Sequence, residues 1–226
     1  MTSQNVQFSL FFIQLFLVYF VSRLTIKEFF IGARSFIKSD RTIGILATVI
    51  FFPGTVVHEM AHMLAALTLM LKVREIKIFP TIEESEIKLG RVLYERKDPI
   101  RGILVGVAPL FAGLFIFFFF AYFKLFPNQN FLLNILIGYL VFTISTTMFS
   151  SKQDLVDLLY LIPFFIAIMG LIYIFDVKID LVIQNQKALQ KVMDVFAQIN
   201  FFLFIALVIN VLCIFLLKIL KSLGKK

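Results

Sequence analysis

This chain has no Trp, one Cys and two His in 226 residues, and only 16% of it is charged. Each scarcity excludes something. The lone Cys213 excludes an internal disulfide framework and a Cys-rich zinc site. Two histidines exclude a multi-histidine di-iron centre. Scarce charge stands beside a hydrophobic share of 60% and a mean hydropathy of +0.95. Together they exclude an ordinary soluble domain, because so short a chain cannot hide that much apolar surface from water. Acidic residues are the scarcer sign, 14 against 22 Lys and Arg, for a net charge of +8. The excess does not read as nucleic-acid binding. It sits in the short links between apolar runs, where positive charge sets orientation in a membrane. The 30 Phe read as compositional bias.

What is present is a series of apolar runs. A helix needs about 20 apolar residues to cross the hydrocarbon of a bilayer. The first span is predicted over 6–22; it lacks a basic leader and a small-residue cleavage site, so it reads as retained. Residues 23–42 mix basic residues with Phe and Ile and read as an interfacial amphipathic helix. The second span is expected over 43–71, kinked or restarted at Pro53-Gly54. Residues 73–79 and 86–95 alternate charged and β-branched side chains around a polar stretch, the pattern of a β-hairpin. Further spans are expected over 100–123, 131–149, 155–175 and 200–220, with an amphipathic stretch over 176–199 outside the hydrocarbon. Phe117–Phe120 reads as lipid-facing bulk, and Asn134, Thr146, Thr147 and Asn210 as polar residues bonded between helices. The expectation is one all-α polytopic membrane domain over 1–226, with about six transmembrane helices and a small β-hairpin after the second.

One segment states a chemistry. Both histidines lie four residues apart in His58-Glu59-Met60-Ala61-His62, inside the apolar second span. Residues i and i+4 share a helix face, so the two imidazoles can grip one metal ion. Glu59 lies about 100° round from His58, within reach of a water on that metal. H-E-x-x-H on a helix is the zinc-protease pattern, with the glutamate as general base. Ionisable groups inside a span are costly and face a cavity with partners, which favours a Zn2+ site over an accident of sequence.

Catalytic zinc takes three protein ligands and leaves a fourth position for water. No third His and no usable Cys is present, so the third ligand is expected to be a carboxylate. Asp154, Asp157, Asp176 and Asp180 lie near apolar segments. Counting Lys and Arg gives thirteen on the side reached after the second span and nine on the other. That side is then cytoplasmic, with both termini cytoplasmic as well. Asp154 and Asp157 open the fifth expected span from that same side; Asp176 and Asp180 fall opposite. Asp154 is the expected ligand, and Asp157, one helical turn on, is the alternative.

These segments resemble the site-2 protease family of intramembrane zinc metalloproteases. The resemblance rests on FPGTVVHEMAH (52–62), VAPLFAG (107–113) and SSKQDL (150–155), and covers a catalytic core of about 43–175, with the spans at 6–22 and 200–220 peripheral. The family combines H-E-x-x-H on one span, a Gly-Pro-Leu-like segment on the next, and a late Asp that completes the zinc site. Ala108 stands here where that Gly is usual, and the late segment lacks the family's usual Pro and Gly. The resemblance implies cleavage of peptide bonds in or near the transmembrane segments of membrane proteins. It implies His58, His62 and Asp154 as zinc ligands and Glu59 as the catalytic base. The partners expected are the lipid bilayer and a membrane-protein substrate with a single transmembrane segment, with no nucleic acid. The expected setting is a prokaryotic cell membrane. Competing readings are a membrane zincin of another lineage and a non-catalytic metal-binding transporter or scaffold.

Overall fold

The computed structural model describes residues 3–77, 81–83, 86–88, 90–95, 97–149, 156 and 186–223, and among them are five helices and a β-hairpin. Helix α1 spans Ser3–Phe36 and α2 spans Asp40–Thr68. Ser39 separates them and caps α2, its hydroxyl accepting from the Thr42 N–H at 3.4 Å, and Asp40 places a negative charge on the first turn. The expected interfacial helix over 23–42 is therefore corrected: most of it continues α1 and its end opens α2. No Pro interrupts residues 23–36, and Thr25 and Phe29 are buried within the bundle rather than laid on its surface.

Helix α2 does not break at Pro53. A proline leaves the carbonyl four residues back without its helical donor, here that of Val49. The hydroxyl of Tyr139 supplies the region, lying 3.4 Å from the Val49 oxygen and 3.0 Å from that of Ile50. Gly54 follows because the helix over Phe131–Thr147 comes very close: a Cβ there would collide with the Thr143 carbonyl. The helix closes at Met70, in the left-handed region at φ 55°, with the Leu71 N–H bonded back to Ala66 at 2.9 Å. Lys97 and Arg101 donate to the last carbonyls, those of Met70 and Leu69.

The hairpin holds four short strands, β1 (Val73–Lys77), β2 (Thr81–Glu83), β3 (Glu86–Lys88) and β4 (Arg91–Tyr94). β1 pairs antiparallel with β4 and β2 with β3, so the expected hairpin is present, with β2 inside what had read as its turn. Arg74 closes its base on Glu95 at 2.7 Å, and that hydrogen bond and charge hold the Glu95 carboxyl below its usual range.

Asp98 caps α3 (Pro99–Tyr122) by accepting from the Arg101 N–H at 2.9 Å, and Pro99 opens it. α4 spans Phe131–Thr147 and α5 spans Gln186–Leu223. α5 absorbs the second half of the stretch expected outside the hydrocarbon, and Phe196 packs edge-on against Phe8 and Phe11. Val18, Phe117, Val141 and Phe202 form part of the main core. Phe117 and Phe120 both face Phe202, which corrects their reading as lipid-facing; Phe115, 66% exposed, lies on the outer face instead.

Among the described residues four helices are long and apolar enough to cross a membrane, Val6–Phe36, Asp40–Thr68, Pro99–Tyr122 and Leu189–Ser222. The chain is a multi-pass integral membrane protein. α1 and α5 run parallel, since contacts advance together from Phe11–Phe196 through Thr25–Asn210 to Gly32–Leu217. Their outer ends, Ser3 and Leu223, thus lie at opposite ends of the pair. Both termini on the cytoplasmic side would need these helices to cross in opposite senses, which their parallel pairing does not support.

Candidate metal centre

His58, Glu59 and His62 are among the least exposed polar residues of α2, at 4%, 5% and 9%. The helix repeat puts them on one face, as the spacing predicts. The two imidazoles meet edge to face at 87°, with their Nε2 atoms 3.1 Å apart. That is the length of an ordinary hydrogen bond. It is also close to what a metal needs, because two nitrogens at about 2.05 Å from a tetrahedral ion are about 3.3 Å from one another. Two imidazole nitrogens are also donors of the type that zinc accepts.

The orientation of His62 has a specific cause. Its Nδ1–H donates to the Val105 carbonyl at 2.9 Å, which leaves Nε2 with its lone pair toward His58. That carbonyl is available because residue 109, four positions on, is Pro109 within α3. With no N–H to bond it, and a ring that crowds it off the helix axis, the Val105 oxygen is turned to a neighbour. The two prolines inside the described helices act alike: Pro53 frees a carbonyl region for Tyr139, and Pro109 frees one for His62. Counting four residues back from each proline is the signal that would have found Val105.

Glu59 meets the hairpin. A Cβ on Gly90 would lie 2.5 Å from Glu59 Oε1, 2.7 Å from Cγ and 2.9 Å from Cδ, so the backbone leading into β4 rests directly on this side chain. Only glycine permits that approach. No sequence signal singled out Gly90, since the contact joins elements distant in the chain. Gly113 packs on Met148 and Ile144 of α4, as close helix packing requires.

Among the described residues no group of three or more His, Cys, Asp and Glu converges on one point. The expected third ligand Asp154, its alternative Asp157, and Asp176 and Asp180 lie outside the described residues, as does all but residue 156 of the span expected over 155–175. Of the polar residues expected between helices, Asn210 accepts from Thr25 and Thr146 and donates to Ser145, joining α1, α4 and α5. Thr147 bonds within its own helix, and Asn134 braces the loop before α4 through Asn128. Compared with family models, with curated proteins and with solved structures, the chain matches none.

Proposed function

We propose that this chain is an intramembrane zinc metalloprotease of the site-2 protease kind, hydrolysing peptide bonds in or near transmembrane segments of membrane proteins. The observation that carries the reading is the pair of buried imidazole Nε2 atoms 3.1 Å apart with a glutamate between them in sequence. His58 and His62 would hold the metal, with Asp154 as the proposed third ligand. Zinc bound there would supply Lewis acidity to a substrate carbonyl and acidify a water. Glu59 takes the proton of the attacking water and returns it to the leaving amide nitrogen. Its burial keeps bulk water from competing for that proton, and the Gly90 backbone limits where its carboxylate can go.

A substrate helix offers no free backbone, so the segment to be cut must first unwind. Among the described residues the two-stranded sheets of the hairpin leave strand edges that suit an extended peptide, near the Gly90 backbone that touches Glu59.

The test uses purified full-length protein in liposomes with a single-span reporter peptide whose apolar segment is interrupted by Gly and Pro. Glu59→Gln should retain zinc and lose cleavage. A Glu59→Gln protein that cleaves like the wild type removes the reading.

A further inference from the structure

A threonine inside an apolar helix ordinarily bonds its hydroxyl back to its own backbone, because no water is at hand. Thr25, Thr48, Thr68, Thr143, Thr146 and Thr147 all do so, at 2.6–3.2 Å. Thr55 does not. It is 4% exposed, and its Oγ1 has no hydrogen-bond partner among the described residues. A buried hydroxyl left in that state costs about 1–3 kcal/mol.

Its position is specific. Thr55 stands three residues before His58, four before Glu59 and seven before His62, so the four share one buried face of α2. Side chains on a helix lean toward its N-terminus, which carries Glu59 over the turn that holds Thr55. The hydroxyl is therefore one helical turn from the base, on a face shielded from bulk water, with a donor available. A peptide carbonyl under attack gains negative charge on its oxygen. A neutral donor already in place stabilises that charge more than it stabilises the ground state.

We infer that Thr55 is a substrate-contacting residue, whose hydroxyl donates to the carbonyl oxygen of the peptide bond being cut. The inference rests on the protease reading and adds a donor to its site.

Thr55→Val keeps the shape and deletes the hydroxyl; Thr55→Ser keeps the hydroxyl. With the same reporter peptide, Thr55→Val should lower kcat by about 10²-fold with KM nearly unchanged, and Thr55→Ser should restore most of the rate. Zinc content should equal that of the wild type, and the thermal midpoint of Thr55→Val should be equal or higher, since a buried unpaired group has gone. Wild-type kcat in Thr55→Val overturns the inference. So does a loss of thermal stability or zinc in that variant, which would mean that the hydroxyl serves the fold. Normal cleavage by Thr55→Val beside inactive Glu59→Gln defeats this inference alone; normal cleavage by Glu59→Gln defeats the protease reading.

Discussion

Replacing Pro109 with alanine separates two effects that usually travel together. The ring of Pro109 crowds the Val105 carbonyl and offers it no N–H, and His62 Nδ1 donates to that oxygen at 2.9 Å. In Pro109→Ala a new N–H arises one turn away and the carbonyl swings back along the helix axis to meet it. His62 then loses the bond that fixes its tautomer and ring plane. Losing such an outer partner weakens metal binding by about 10–100-fold, which is about 1.4–2.8 kcal/mol. The helix itself changes the other way, because alanine is favoured over proline by about 3 kcal/mol in a helix interior. Zinc affinity, read by competition with a chelator in detergent, should therefore fall while the metal-free protein unfolds no more easily. Pro53→Ala is the matched control, since the carbonyl region it affects bonds Tyr139 rather than a histidine. Wild-type zinc affinity in Pro109→Ala, or the same loss in Pro53→Ala, would refute the reasoning.

Gly90→Ala should cut kcat by about 10²-fold with zinc affinity intact, because relieving a Cβ that lies 2.5–2.9 Å from Glu59 atoms demands a shift on the order of 1 Å. Equal kcat would mean that the hairpin yields instead of the carboxylate. Asn210→Leu should lower stability by about 1–2 kcal/mol in detergent unfolding, since Thr25, Thr146 and Ser145 each lose a partner; an unchanged midpoint would show the cluster to be dispensable.

The shared face of His58, Glu59 and His62 was legible in the sequence because it is local. His58, Glu59 and His62 need only the helix repeat, and the buried surface of α2 follows it. The hairpin was legible through its alternating side chains, and α3 through its length and its Asp98-Pro99 start. The partners of the site were not legible in this way. Val105, Gly90 and Tyr139 act through contacts between elements, which no periodicity encodes. The helix ends misread for a related reason. Basic residues in 23–36 look interfacial one by one, yet Thr25 and Phe29 are held by packing against α5 and α2. The direction of α5 was missed because Lys and Arg counts weigh loops and ignore which helices pair.

The parallel seating of α1 on α5 bears on how the protein is made. Thr25 bonds Asn210 across 185 residues of chain, and Gln7 takes the amide of Asn200 across 193. During synthesis α1 enters the bilayer with these polar groups facing lipid or passing partners, and their own partners arrive only when α5 emerges. Assembly of the bundle thus waits on α5, and a chain halted before residue 186 holds its histidines while Thr25 and Gln7 of α1 still lack their α5 partners.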